Sequence, residues 1–389
     1  MELDGERIVL PALSTAHSHA FQRAMRGDAQ RPGPAGEDDF WSWRTAMYRL
    51  ADALTPERIH AISKVAYAEL HAAGVRTVGE FHYVHHQPDG TPYADRTALA
   101  DAVIDAARQT GLCIALLRVV YARAGSGRAP EGAQRRFADA TLDAALGDVD
   151  TLRGRYAGAP DVRIGVAPHS VRAVPPEWLS EIAAYAARSA MPVHMHVAEQ
   201  PAEVAACLAE TGRRPVELLA DRGVLGDRFV AVHATHLAAH EASLLGRARA
   251  WVCLCPTTER DLGDGLPDLS ALLGAGVRLC TGIDSHVITD PFEDMRGLEL
   301  GERLRTGRRV TLRAEGRTPA EALWRIGSEE GARACGFDGS AGRIALDRRA
   351  PALALVPDEH LLDAIVYAGG PRLVLGDASE GQRASAPAP

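Results

Sequence analysis

Lysine is almost missing from this sequence: Lys64 is the only one among 43 basic residues, and the rest are arginine, which reads as codon bias in a GC-rich genome. Acidic residues outnumber basic ones, 51 to 43, for a net charge of −8. The clustered basic surface that nucleic-acid affinity needs is therefore lacking. No window approaches 18 uninterrupted apolar residues; the best candidate, from Cys113 to Ala122, is short and carries Arg118, so a membrane span is excluded. The start, Met1-Glu2-Leu3-Asp4-Gly5-Glu6-Arg7, is acidic and lacks the apolar stretch of a signal peptide. Six cysteines, at 113, 207, 253, 255, 280 and 335, form no CxxC pair. They read as reduced, buried small hydrophobes in a cytoplasmic protein.

What is present is a rhythm. Over 389 residues, 46% of them hydrophobic, helical periodicity alternates with short β-branched runs. Extended segments are expected at Ile8–His17, Val75–His82, Cys113–Tyr121, Val162–His169, Pro192–Val197, Phe229–Ala234, Trp251–Leu254 and Val277–Gly282. They are continuous apolar runs, the pattern of strands buried on both faces of a parallel sheet. Helices are expected between them, one opened by Thr55-Pro56-Glu57 and ended by Gly74, others over Arg135–Arg155, Pro201–Asp221 and Thr318–Cys335. Eight strands separated by helices predict an α/β protein, a closed (β/α)8 TIM-like barrel over residues 10–340 with extra C-terminal helices; an open doubly wound sheet is the alternative. Loops rich in Gly, Pro and Arg after Phe21 and Tyr121 are expected at the catalytic end as lids or walls. Residues 377–389 are expected to form a disordered tail.

The informative residues are ionisable groups at strand ends. His17 and His19, two apart on an extended chain, point the same way. His169 closes the fourth strand, His196 and Glu199 the fifth, His233 the sixth, and Asp284 follows the eighth. Barrel enzymes do their chemistry at this rim. Imidazoles with a carboxylate suit Zn²⁺, and Fe²⁺ or Mn²⁺ accept the same donors. His194, two before His196, is the rival ligand, while His82, His85, His86, His236 and His286 read as groups that line or tune the rim.

Longer motifs surround these residues: Thr15-Ala16-His17-Ser18-His19-Ala20-Phe21-Gln22-Arg23, Gly79-Glu80-Phe81-His82-Tyr83, His194-Met195-His196-Val197-Ala198-Glu199-Gln200, Cys255-Pro256-Thr257-Thr258-Glu259-Arg260-Asp261-Leu262 and Gly282-Ile283-Asp284-Ser285-His286. Together they resemble the amidohydrolase superfamily and, more narrowly, the formimidoylglutamate deiminases of histidine degradation, from about Leu10 to Cys335. The resemblance implies a metal-dependent deiminase that releases ammonia from N-formimino-L-glutamate or a close amidine analogue. It implies one divalent metal on His17, His19, His196 and Asp284, with Glu199, His233 and Asp284 handling protons. It further implies substrate contacts from Gln22, Arg44, Tyr83, His169 and Arg172. Two arginines match a substrate with two carboxylates, because the guanidinium fork grips such groups.

Family members also carry strands ahead of the barrel that pair with C-terminal strands in a small β-sandwich. Here only about a dozen residues precede the end of the first strand, and no closing strand is evident after Gly376. A reduced or missing sandwich is expected, with residues 1–9 and 341–376 as its remnant and an open edge covered in a homodimer. Two other functions compete: an amidohydrolase acting on a different amidine, guanidino or amino-heterocycle, and a catalytically silent binding protein. The first makes little use of two arginines, and the second need not keep every ligand.

Overall fold

The computed structural model describes residues 1–31, 40–312 and 317–378, so the expected tail lies, from residue 379 on, outside the described residues. Two short strands come first, β1 (Glu2–Asp4) and β2 (Arg7–Pro11). Eight parallel strands follow in sequence order: β3 (Leu13–Ser18), β4 (Val75–His82), β5 (Cys113–Val120), β6 (Val162–Pro168), β7 (Val193–Val197), β8 (Phe229–His233), β9 (Trp251–Leu254) and β10 (Arg278–Thr281). The ends of this sheet meet. Ser18 bridges to Asp284, with the His19 N–H donating to the Asp284 carbonyl at 2.9 Å and the Asp284 N–H to the His17 carbonyl at 3.1 Å. The sheet therefore closes on itself as a TIM-like barrel, and the open doubly wound alternative is set aside. Two glycines let β3 nestle between its neighbours: a Cβ on Gly79 would lie 2.4 Å from the Ala16 carbonyl oxygen, and one on Gly282 2.7 Å from the His17 Cβ. Side chains at either position would push the His17 strand outward.

The structure divides what the sequence reads as one strand, Ile8–His17. Its first half, β2, pairs antiparallel with β1 and with β11 (Arg343–Asp347), which pairs in turn with β12 (Val374–Asp377). Its second half, β3, enters the barrel. The break falls at Ala12, whose N–H turns to the Gly342 carbonyl at 3.0 Å, just after Pro11, which has no N–H to donate. A closing strand thus exists and runs to Asp377, where Arg76 Nε meets the Asp377 carboxylate at 2.7 Å. Gly376, at φ 125°, sits within β12.

Helix starts follow the capping logic. The helix Pro56–Ala72 begins with the Thr55 hydroxyl accepting from the Arg58 N–H. The expected helix Arg135–Arg155 is shorter, Leu142–Arg155, preceded by a 3-10 turn over Gly132–Arg136. Pro201–Asp221 breaks into Pro201–Thr211 and Pro215–Asp221, because Gly212 ends the first piece in a left-handed conformation (φ 68°) and Pro215 starts the second. The stretch Thr318–Cys335 is interrupted by a π turn, Ile326–Glu330. Among the described residues no helix is long and apolar enough to cross a membrane.

One charge is buried in the wall beside the site. Arg118, on β5 and 1% exposed, donates to both oxygens of Asp139 at 2.7 Å and to Asp148 at 2.6 Å. Removing Asp139 deletes the two-oxygen contact and leaves the buried cation with Asp148 alone, so Asp139→Ala is expected to cost about 3–5 kcal/mol in urea unfolding. A loss below 1 kcal/mol would mean that Asp148 alone suffices.

Candidate metal centre and active site

Four of the expected ligands converge on the seam where β3 meets the loop after β10. His17 Nε2 and His19 Nε2 each lie 3.4 Å from Asp284 Oδ1, and His17 Nε2 lies 3.1 Å from His196 Nε2. All four residues are buried. His19 Nδ1 donates to the Phe81 carbonyl at 3.0 Å, which leaves its Nε2 as a bare acceptor. Burial holds the three imidazoles neutral: the pKa of His19 falls to about 3, and those of His17 and His196 also fall. Burial disfavours the charge of Asp284, but the hydrogen bond from His17 and the nearby charge of His233 help to keep the carboxyl below its ordinary range.

His17 joins two groups whose ligand atoms lie within 4.8 Å of one another, His17 with His19 and Asp284 and His17 with His196 and His233, and the chemistry of these donors suits a divalent cation. Two donors about 2.0–2.1 Å from one ion and roughly 90–110° apart lie about 3.0–3.4 Å from each other. The observed spacings of 3.1, 3.4 and 3.4 Å fall in that window. His17 Nδ1 is buried without a partner, so hydrogen bonding within the protein does not account for this ring.

Beside this group stands a set of proton-bearing residues. His233, at the end of β8, has Nδ1 3.3 Å from Glu259 Oε1, and Nε2 3.8 Å from Glu199 Oε1 and 3.7 Å from Asp284 Oδ2. Burial opposes its charge, but the carboxylates of Glu199, Glu259 and Asp284 together raise its pKa. Burial also raises the pKa of Glu199. The backbone here is strained. Ala198, His233, Ala234, Asp284 and His286 all have φ between 50° and 69°, a region that side chains rarely adopt. Such strain collects where function fixes side-chain direction.

These groups open into a cavity of about 60 Å³. Gln22, Arg44, Tyr83, His169 and Arg172 all line it, together with His19, His196, Glu199, His233 and Asp284. The helix Phe40–Asp52 supplies Trp43, Arg44, Met47 and Tyr48 from one face. Gln22 Nε2 donates to the Tyr83 hydroxyl at 2.8 Å, while Gln22 Oε1 is buried without a partner, an acceptor left for a ligand N–H. Of the metal, catalytic and substrate residues expected from the sequence, all but His17 line this space, and His17 lies against two that do, His196 and Asp284. His194 is not among them: its Nε2 meets the Ala334 carbonyl at 3.0 Å, deeper in the barrel. His82, His85, His86, His236 and His286 are absent from the lining.

Some participants were missed. Glu259 orients His233, and Cys255 N–H donates to the same Glu259 oxygen at 2.9 Å. Its place just past β9, within a quoted motif, was the available signal. Glu80 was the second. Its carboxylate accepts from the Ser18 hydroxyl at 2.6 Å and the Ala20 N–H at 2.9 Å, bracketing His19, while His286 Nε2 lies 2.8 Å from Ser18 Oγ. No spacing rule reveals that contact, since Ser18 and Glu80 are 62 residues apart.

With this geometry in hand, known proteins can be compared. The model of the amidohydrolase family matches residues 8–375. The chain is 40% identical over 378 residues to a formimidoylglutamate deiminase of Pseudomonas aeruginosa, covering 94% of this chain and 82% of that protein. It is 30% identical to a 5-methylthioadenosine/S-adenosylhomocysteine deaminase of Halobacterium salinarum, over 87% and 70% of the two chains. An amidohydrolase structure from Brucella melitensis superposes with a TM-score of 0.88 at 35% identity, covering 97% of this chain and 88% of that one. An adenosine deaminase from Xanthomonas campestris with bound zinc shares the fold, with a TM-score of 0.79 at 23% identity over 95% and 78% of the two chains. Matched motifs and a matched barrel agree, and the chain belongs to the amidohydrolase family.

Proposed function

We propose that this protein is a deiminase that hydrolyses the formimino group of N-formimino-L-glutamate, or of a close amidine analogue, to the N-formyl product and ammonia, as in histidine degradation. One observation carries the reading: a cation-ready donor group, a histidine–carboxylate pair and two arginines share a single cavity. The likeness to the Pseudomonas aeruginosa formimidoylglutamate deiminase supports the same substrate. In this reading His17, His19, His196 and Asp284 would hold one divalent cation, Zn²⁺ by preference of the donor set and Fe²⁺ or Mn²⁺ by the same chemistry. Bound there, the ion supplies Lewis acidity that brings the pKa of water toward neutrality.

The chain's own residues do the rest. Asp284 Oδ2 takes up the proton that water gives as it adds to the imine carbon. Glu199, whose acid form burial favours, protonates the imine nitrogen as the water oxygen adds; the proton held by Asp284 then passes to that nitrogen, which leaves as ammonia while the remaining hydroxyl proton returns to Glu199. His233, oriented by Glu259, steadies the charge that develops between Glu199 and Asp284. Arg44 and Arg172 grip the two carboxylates, Tyr83 and His169 shape the wall, and Gln22 Oε1 receives a substrate N–H. The residue roles agree with a cytoplasmic enzyme whose six cysteines are all free thiols. A homodimer accords with the open edge strands β1 and β12 of the small sheet.

Ammonia release from a panel of formimino, guanidino and amino-heterocycle compounds tests the reading. N-formimino-L-glutamate is expected to lead. Arg172→Ala is expected to raise KM by about tenfold or more with kcat little changed, as loss of a charge-assisted contact does. Preference for an amino-heterocycle, with KM indifferent to Arg44 and Arg172, would overturn it.

A further inference from the structure

Just outside the cavity lining, one buried polar side chain contacts two of the tyrosines that line it. Gln134, 6% exposed, sits in the 3-10 turn Gly132–Arg136. That turn is pinned by Arg136, which donates to the His86 and Leu54 carbonyls at 2.9 Å each. The Gln134 carboxamide is fixed at both ends. Oε1 accepts from the Glu131 N–H at 3.1 Å, and Nε2 donates to the Tyr48 hydroxyl at 3.0 Å and to the Tyr121 hydroxyl at 3.1 Å. Flipping the amide would set a donor against the Glu131 N–H, so the hydrogen bonds decide its orientation.

Each of the two hydroxyls belongs to a side chain that lines the cavity and stands beside one arginine. The Arg44 guanidinium carbon lies 5.5 Å from the centre of the Tyr48 ring, and Arg172 lines the same cavity as Tyr121. A phenol oxygen has one proton and two lone pairs. Gln134 donates to both oxygens, so neither proton can point at Gln134. Each phenol proton therefore points away from Gln134, and both tyrosines face the cavity. Burial first, and then the neighbouring Tyr48, keep the Tyr121 phenol protonated, its pKa pushed up to about 12.

We propose that Gln134 is a specificity-determining positioning residue: by donating to Tyr48 and Tyr121 at once it sets the spacing of Arg44 and Arg172 and turns phenol protons toward the carboxylates of a dicarboxylate substrate. The proposal rests on the substrate reading above. Arginine supplies charge at each end, and the tyrosines add directed neutral donors that select for a carboxylate over an amide. Tyr48 and Tyr121 thereby become contacts of the substrate.

The test compares wild-type holoenzyme with Gln134→Glu and Tyr121→Phe. A carboxylate at 134 accepts instead of donating and draws a phenol proton away from the cavity; phenylalanine at 121 keeps the ring and deletes the donor. For each protein, kcat and KM are measured with N-formimino-L-glutamate and with N-formimino-L-glutamine, whose side-chain carboxylate is replaced by carboxamide. Glutarate binding is measured by calorimetry. The expected result is a rise of about tenfold or more in KM for the dicarboxylate and in Kd for glutarate, with kcat within about twofold. The ratio of kcat/KM between the two substrates should fall by a similar factor. A purely structural role lowers both substrates together and leaves the ratio intact; that outcome, or unchanged glutarate affinity in both variants, overturns the inference. Should the wild type neither bind glutarate nor release ammonia from the dicarboxylate, the substrate reading fails with it. A wild type that does both, with variants that keep its ratio, defeats this inference alone.

Discussion

Asp284→Asn and His17→Ala enzymes are expected to lose turnover by at least about 10⁴-fold, the factor that about 5.5 kcal/mol of lost transition-state stabilisation represents. Both act through the same cluster. Among the described residues, Asp284 Oδ1 is the one anionic atom within 3.4 Å of both β3 imidazoles, and its carboxyl is held ionised inside the barrel. Asparagine keeps the shape but removes the charge that balances a cation in a dry site. Alanine at 17 removes the nitrogen that lies close to both His196 and Asp284. Metal content measured on dialysed protein should fall from about one per chain in the wild type to well below that in either variant. Chelation of the wild type should abolish activity, and Zn²⁺ should restore it. Full turnover by metal-stripped His17→Ala protein would end the metal-dependent account.

Glu199→Gln should give the second largest effect, and a different one. Glu199 is outside the four-residue donor set, so the variant should keep its metal while kcat falls about 10²- to 10⁴-fold, the range for loss of a positioned acid. The pH profile carries the sign. Burial raises the Glu199 pKa, so the acid form persists above the usual carboxylate range, and activity should be present below that raised value and lost as pH climbs through it. The glutamine variant should lack this limb. A variant that loses metal and activity together would place Glu199 among the ligands instead of the acids.

Both expectations rest on residues that could be read before any tertiary contact was known, and the reason is the period of the strand. His17 and His19 share a face because alternate residues do, and each barrel strand ends where its apolar run stops. The choice between His194 and His196 was harder, since they also share a face. The spacing to Glu199 pointed to His196, and the structure puts His196 beside His17 while His194 binds the Ala334 carbonyl. The hydroxyl and carboxylate supports were invisible for a different reason. Ser18 with Glu80, and Tyr48 with Gln134, are joined across 62 and 86 residues, and no local rule links such pairs.

Errors in reading the elements have similar causes. The run Ile8–His17 is apolar as far as Leu13, and Pro11 alone marks locally where the chain passes from the small sheet to the barrel. The stretch Arg135–Arg155 has helical composition throughout, but its start is held as a 3-10 turn by Arg136, whose carbonyl partners come from the helix–loop segment around residue 54 and from His86.

Hydrophobic period, capping residues and strand-end histidines were enough to specify an alternating α/β chain with a metal-ready rim, because each depends only on near neighbours along the polypeptide. The closure of the seam at Ser18 and Asp284, the pairing of β2 with β11, and the tethering of two tyrosines by one glutamine were decided by the folded chain. Those features require distant segments to meet at distances of a few ångströms, and only the barrel's curvature and its packed loops bring them there.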